Sequence, residues 1–229
     1  MKLLFFILSL IIGSALHASK DMQLLLKHSD HTPIYQLSKE NWVLFPLSHQ
    51  SFQAKLATHG DLPSDTPWKP DQKWVYKVQV QVLNLKKEVI ETRDLEYRAQ
   101  FIRYTSQTLG TYSPSYYLEN NALPTITYDT VLNWKNKQRA SFVRVRLLSK
   151  DKDIQAVYCR LFEQEFIPER DLESYWNHLN PADQARMASG NAYDLSLLTL
   201  EEKKNLIRNL WKPIGPQGVP GENLHERIL

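Results

Sequence analysis

The single cysteine of the chain, Cys159, is a candidate nucleophile. With His178 as a general base and Asp171 to orient the imidazole, it could form a catalytic triad. A reactive thiolate needs an exposed and electropositive position. Cys159 instead shares the apolar face of a predicted strand with Val157 and Leu161. We therefore predict a buried structural thiol, because a free cysteine packs like a small hydrophobic residue.

A second candidate for chemistry is the segment that contains His28, Asp30 and His31, which offers two imidazoles and a carboxylate to a metal ion. No third or fourth ligand follows at a recognised spacing, and a proline-rich surrounding would hold the site loosely. A solvated loop is the favoured interpretation, and the sequence predicts no metal site.

Two pairs of glutamates could in principle cleave a glycosidic bond, Glu88 with Glu91 and Glu163 with Glu165. The second pair shares a strand face, about 7 Å apart by strand geometry. The chain has 25 acidic residues, so such pairs arise by chance. No nucleotide-binding, hydrolase or zinc-protease motif accompanies them. The sequence thus predicts no catalytic residue and no cofactor.

Four tyrosines lie among serine, threonine, asparagine and proline residues: Tyr104, Tyr112, Tyr116 and Tyr117. Exposed tyrosines between small polar residues suit adaptable recognition of a protein or a glycan. We take the four as a candidate recognition surface. The alternative is that half of them pack under a long loop.

The elements that must position these residues begin with strands. Residues 74–82 alternate strictly between apolar and mostly polar side chains, residues 95–101 do the same, and residues 125–134 give a third candidate. Residues 141–148 and 154–162 flank a short polar connector and predict a hairpin. Its arginines, Arg144 and Arg146, would share one face.

Helical patterns follow the strands. Leu172, Tyr175, Trp176 and Leu179 have helical spacing, and Asn180 before a proline predicts the start of a second helix that Gly190 ends. Thr199 and Glu202 form a predicted capping box for a third helix, which runs to Trp211. The predicted fold class is α+β: an antiparallel β-meander of about five strands followed by two or three C-terminal α-helices.

The chain opens with Met1 and Lys2, followed by an apolar run of about ten residues and small residues up to Ala18. This pattern predicts a cleavable secretory signal, cut after Ala18 or after Ala15. An uncleaved anchor is the alternative, but a bilayer span needs about 20 apolar residues. The predicted regions are a signal peptide at 1–18, an irregular Pro-rich segment at 19–70, an α+β core domain at 71–212 (sheet 74–167, helices 170–211) and a flexible Gly/Pro tail at 213–229.

A lone cysteine excludes an intramolecular disulfide, and with the signal it favours a bacterial envelope protein, periplasmic or at the cell surface. The net charge of +3 gives no electrostatic case for nucleic acid, and no transmembrane span is expected in the mature chain. We predict a non-enzymatic binding or assembly module, whose partner is another envelope protein or a glycan. The alternatives are an exported hydrolase with a non-standard site and a glycan-binding, adhesin-like protein.

Overall fold

The structure is a computed structural model. It describes residues 31–48, 53–106, 110–112, 116–117, 121–134, 140–191, 193–217 and 224–228. The predicted signal peptide at 1–18 lies outside the described residues.

Fourteen strands and three α-helices lie within the described ranges. The strands are β1 (His31–Gln36), β2 (Val43–Pro46), β3 (Gln53–Leu62), β4 (Trp74–Leu83), β5 (Val89–Ala99), β6 (Tyr104–Ser106), β7 (Gly110–Tyr112), β8 (Tyr116–Tyr117), β9 (Leu123–Pro124), β10 (Tyr128–Asn133), β11 (Phe142–Lys150), β12 (Val157–Gln164), β13 (Trp211–Ile214) and β14 (Leu224–Ile228). The helices are α1 (Leu172–His178), α2 (Pro181–Ala188) and α3 (Leu200–Arg208).

The strands form two main sheets. The first has the order β10-β3-β12-β1-β14-β8, with β9 beside β3 and β13 beside β12. The second has the order β2-β11-β4-β5, and β6 pairs with β7 in a separate ribbon. The pairings between described strands are antiparallel. The predicted antiparallel α+β class is confirmed.

The main core lies between the two sheets. Val80 of β4 and Val145 of β11 belong to the same buried cluster as Leu56 of β3 and Leu161 of β12. On β4 and β11, buried positions alternate with more exposed ones, so the second sheet buries one face here and turns the other outward. Burial of each of these side chains contributes on the order of 1.5–3 kcal/mol.

The predicted strands are present in the structure, but not all of them pair as predicted. The consecutive strands β4 and β5 pair with each other, as a meander requires. The predicted hairpin of residues 141–148 and 154–162 is wrong. Its two strands exist as β11 and β12, but β11 pairs with β4 and β2, whereas β12 pairs with β3, β1 and β13. The polar connector therefore carries the chain from one sheet to the other.

The prediction of an irregular segment over residues 19–70 is wrong where the structure describes it. This region supplies β1, β2 and β3, and β3 lies inside the first sheet between β10 and β12. The sequence pattern failed because β3 buries polar residues on both of its faces, among them Thr58, His59 and Asp61. Buried polar groups hide the alternation on which a strand prediction depends.

Helices α2 and α3 begin at the predicted caps. The Asn180 side chain accepts a hydrogen bond from the backbone of Asp183, and Thr199 and Glu202 form a capping box at the start of α3. The helices bury a cluster of their own around Leu172, Trp176 and Ile207. Within the described ranges no helix is long and apolar enough to cross a membrane.

The C-terminal region departs from the prediction. Trp211 does not continue α3 but begins β13, where it pairs with Gln164. The predicted flexible tail at 213–229 contains the end of β13 and all of β14. Strand β14 lies between β1 and β8, so it is part of the first sheet. Backbone hydrogen bonds to both neighbouring strands hold β14 there. The prediction of a flexible tail rests on its low apolar content, which does not reflect these bonds.

Candidate functional site

The outward face of the second sheet carries an ordered array of polar side chains beside one tryptophan. We call it the Trp42 face. It is defined by Trp42, Gln79, Gln81, Thr92, Asp94, Arg144 and Arg146. Strand alternation places them there, because Val143 and Val145, which flank the two arginines, point into the core.

One row of this face crosses three strands through Gln81. The Nε of Arg144 on β11 donates to the side-chain oxygen of Gln81 on β4 at 2.8 Å. The amide nitrogen of Gln81 donates in turn to the hydroxyl of Thr92 on β5 at 3.2 Å. Cross-strand register brings the three residues side by side, since Arg144 lies opposite Gln81 and Gln81 opposite Thr92.

The next row repeats the arrangement two residues further along. Arg146 donates through Nε and Nη2 to the side-chain oxygen of Gln79, at 3.1 and 2.8 Å. The amide nitrogen of Gln79 donates to Asp94 at 2.8 Å. Each glutamine therefore fixes one guanidinium and bonds the neighbouring strand as well.

Trp42, immediately before β2, completes the face. The guanidinium carbons of Arg144 and Arg146 lie 4.4 and 4.5 Å from the centre of its ring. These are cation–π distances, each worth about 0.5–1 kcal/mol at exposed sites. The ring and the glutamines together hold two long side chains in defined positions.

The positive charge of the two arginines is not neutralised by a carboxylate within the described ranges, where the ion pairs involve other residues. The acceptors that hold both guanidinium groups are neutral glutamine oxygens. A guanidinium has five N–H donors, and these bonds use one of Arg144 and two of Arg146. Chemically, the face can offer ordered donors to an anion.

The residues proposed as a cysteine triad are not brought together. Cys159 is fully buried in the main core, and burial raises the pKa of its thiol well above the usual range. Asp171 and His178 are exposed at the ends of α1, and the His178 Nδ1 lies 2.6 Å from the carbonyl oxygen of Ser174. The prediction of a buried structural thiol is confirmed.

The four glutamates considered for glycoside cleavage have separate partners. Glu163 accepts a hydrogen bond from the backbone of Ser48 at 2.9 Å, and Glu88 accepts one from Asn84 at 2.7 Å. Glu91 pairs with Arg93 at 2.5 Å. Glu165 interacts with the phenol of Tyr175 and raises its pKa, after the larger effect of burial.

Of the segment considered for metal binding, His28 and Asp30 lie outside the described residues and His31 begins β1. In the part of the chain that the structure describes, no three His, Cys, Asp or Glu side chains group so as to hold a metal ion.

The four tyrosines of the predicted recognition surface are divided between the ribbon and the first sheet. Tyr104 on β6 pairs with Tyr112 on β7, while Tyr116 and Tyr117 form β8. Tyr117 is only 6% exposed, so the prediction is wrong for this residue. Its hydroxyl contacts the buried side chains of His59 and Asp61. For the other three tyrosines, recognition stays a prediction.

Tyr117 belongs to a buried polar cluster that the sequence did not reveal. Its hydroxyl donates to the carboxylate of Asp61 and lies 2.7 Å from Nε2 of His59. Tyr158 stacks on His59, with ring centres 5.6 Å apart. Burial raises the pKa of Tyr158, and the charge of Asp61 and a hydrogen bond to it add to the effect. The cluster joins β3, β8 and β12.

This cluster is closed to solvent, so we assign it a structural role in the fold. His59, Asp61 and Tyr158 are 2–3% exposed. A buried carboxylate is costly unless hydrogen bonds compensate it, and the two phenols supply those bonds. The contact of Tyr117 with β3 also requires strong curvature, since β12, β1 and β14 lie between β8 and β3 in the sheet.

A small cleft opens where β12 changes its neighbour from β1 to β13. It has a volume of about 140 Å³, and Tyr35, Leu161, Ile214 and Gly215 are among its lining residues. Pockets for small molecules typically measure about 300–1,000 Å³. The cleft is thus smaller than a typical small-molecule pocket, and the Trp42 face is the stronger candidate.

Comparison with known protein families and with curated proteins finds no match to this chain. Strand alternation in the sequence predicts that Arg144 and Arg146 share one face but does not predict their partners. The spacing Gln79-x-Gln81, opposite Arg144-x-Arg146, was the available signal, and it becomes informative only once β4 and β11 are known to pair.

Proposed function

We propose that the protein is an exported, non-enzymatic binding or assembly module of a bacterial envelope, and that it binds an anionic partner through the Trp42 face. The observation that carries the proposal is the pair of guanidinium groups of Arg144 and Arg146, ordered by Trp42 and by neutral glutamines. Ordered donors bind with less loss of conformational entropy than free side chains do.

The construction of the face supports a binding role. Its side chains project from β4, β5 and β11, which belong to one hydrogen-bonded sheet. A rigid sheet holds a recognition surface more precisely than a loop does. Guanidinium groups favour carboxylate and phosphate partners, because their fork of N–H donors matches two oxygens at once.

The export part of the proposal depends on the N-terminal sequence. The short basic start, the apolar run and the small residues up to Ala18 support a signal that is removed. N-terminal sequencing of the protein from whole cells should give a chain that begins near Ser19. A retained Met1 on most of the exported protein would contradict this part.

The binding part is tested by sedimentation of the purified protein with washed envelope material. The wild type should bind saturably, and the double variant Arg144→Gln/Arg146→Gln should bind about tenfold more weakly or worse, as expected for lost charge-assisted hydrogen bonds. The matched control is Arg186→Gln, the same change on α2, where the side chain is 70% exposed. Equal sedimentation of all three proteins would refute binding through this face.

A further inference from the structure

We propose that the ligand of the Trp42 face is a carboxylate-bearing glycan, a polymer or oligomer of uronic acid type. This inference rests on the proposed binding function and names its ligand class. Arg144 and Arg146 supply the charge, and the chemistry of the neighbouring rows selects a hydroxyl-rich acid over other anions.

The first argument is the mixture of groups beside the arginines. Gln79, Gln81 and Thr92 are neutral and can both donate and accept hydrogen bonds, and Asp94 accepts at the far end of its row. A sugar acid presents hydroxyl groups, which need donors and acceptors, together with a carboxylate, which needs donors only. Gln81 and Thr92 lie directly across the sheet from Arg144, so both kinds of group can be met within one row.

The second argument concerns polypeptide ligands. An extended peptide binds a sheet chiefly by adding a strand at an open edge, where backbone N–H and C=O groups are free. The Trp42 face lies mainly on β4 and β11, and both of these strands are paired on two sides. Their backbone groups are thus committed to the sheet. Recognition on this face depends on side chains alone, which disfavours an acidic peptide and suits a glycan.

The third argument is the distribution of charge. Lys77 and Glu96, in the next row, neutralise each other at 2.8 Å. Asp94 lies on β5, on the far side of β4 from the two arginines, so the positive end of the face is at β2 and β11. A ligand carboxylate is therefore attracted to the arginine end, and the hydroxyl-bearing remainder extends over Gln79, Gln81 and Thr92.

The test uses the purified exported protein and oligogalacturonate as the probe, with calorimetry or chemical-shift mapping as the readout. Fully methyl-esterified oligogalacturonide is the matched ligand control, because it keeps the sugar chain and removes the charge. Poly-glutamate is the polypeptide control. We expect binding of the acid form, with chemical shifts changed at Arg144, Arg146 and the Trp42 indole, and binding about tenfold weaker for the ester, as charge-assisted bonds are lost.

Two sets of variants separate charge from geometry. Arg144→Gln/Arg146→Gln should weaken binding of the acid form by about tenfold or more. Arg144→Lys/Arg146→Lys keeps the charge but loses the planar fork, and should fall between this variant and the wild type. Arg186→Gln should bind like the wild type. Thermal melting of each variant shows whether it is folded, and the lysine variant provides the test should the glutamine variant not fold.

Three results would overturn the inference: equal affinity for acid and ester, equal or tighter binding of poly-glutamate with the same dependence on the arginines, or no binding of oligogalacturonate. If envelope sedimentation still depends on Arg144 and Arg146, only the ligand class is wrong. If sedimentation is independent of both, the proposed function fails as well.

Discussion

At the scale of single residues, Asp61 has a position that constrains its neighbours. Its carboxylate is 3% exposed and accepts a hydrogen bond from Tyr117, whose hydroxyl also contacts His59. Removal of a hydrogen-bond partner of such a buried group costs free energy, because water cannot take the place of that partner. Asp61 of β3 is thereby hydrogen-bonded to β8, which supplies Tyr117.

The first prediction follows from this arrangement. Tyr117→Phe should lower the free energy of unfolding by about 1–3 kcal/mol, the range for leaving a buried polar group without its partner. Urea unfolding measures it. Tyr193→Phe is the comparison, since Tyr193 is 45% exposed and water can replace its lost hydrogen bond to Glu202, and it should lower the free energy of unfolding by less than Tyr117→Phe does. Equal effects of the two would show that the cluster adds nothing.

Cys159 gives a second prediction at this scale. The residue is fully buried and burial raises the pKa of its thiol, so the reactive thiolate is scarce in the folded protein at neutral pH. Labelling by a thiol reagent should be slow in the native state and should accelerate strongly in denaturant. Native labelling as fast as denatured labelling would mean that β12 opens readily.

At the scale of elements, helix α3 depends on its capping box. The Glu202 carboxylate accepts hydrogen bonds from the hydroxyl of Tyr193 and from the backbone and hydroxyl of Thr199. These bonds, the one from Tyr193 first, lower the pKa of Glu202. A lowered folded-state pKa stabilises the protein above the unfolded-state pKa of about 4.3, and the contribution is lost as pH falls through the folded-state pKa.

The third prediction is a pH dependence that belongs to this cap. The wild type should be more stable than Glu202→Gln at neutral pH, and the difference should shrink as pH falls below about 4.3. Urea unfolding at a series of pH values measures it. Glu173→Gln is the control, since Glu173 also lies in a first helical turn, that of α1. Should both variants show the same pH profile, the helix dipole rather than the cap is responsible.

The elements also show what the sequence could predict. Strands β4 and β5 and the caps of α2 and α3 depend on local patterns, and these were found. Strand β3 was missed because its polar residues are satisfied by partners far away in the chain, such as Tyr117. The pairing of β11 with β4 instead of β12 is also non-local, and the rows of the Trp42 face exist only because of it. Local periodicity carries no information about such partners.

At the scale of the whole molecule, the C-terminus is an internal part of the first sheet. Strand β14 pairs with β1 from His31 to Tyr35 and with β8 at Tyr116 and Tyr117. Its removal leaves β1 paired with β12 alone and takes from β8, which carries Tyr117, its pairing with β14. The C-terminal region is thus expected to matter for folding, contrary to the prediction of a flexible tail.

The fourth prediction tests this role of β14. A chain truncated after Gln217 should unfold at a lower urea concentration than the full chain, because five paired positions along β1 are lost. Deletion of Leu229 alone is the control and should have little effect. A synthetic peptide of residues 222–229 should restore part of the stability by adding a strand in trans. A truncated chain as stable as the full one would show that β14 contributes nothing.

The pairing of His31 with Ile228 has a consequence for the order of events during synthesis. Strand β1 pairs with β14, which is translated long after it, so the ribosome must reach residue 228 before this pairing can be completed. Non-local pairing of this kind slows folding, because the two strands must lose conformational entropy to meet before their contacts stabilise the protein. Until residues 224–228 have left the ribosome, β1 of a nascent chain therefore lacks this partner.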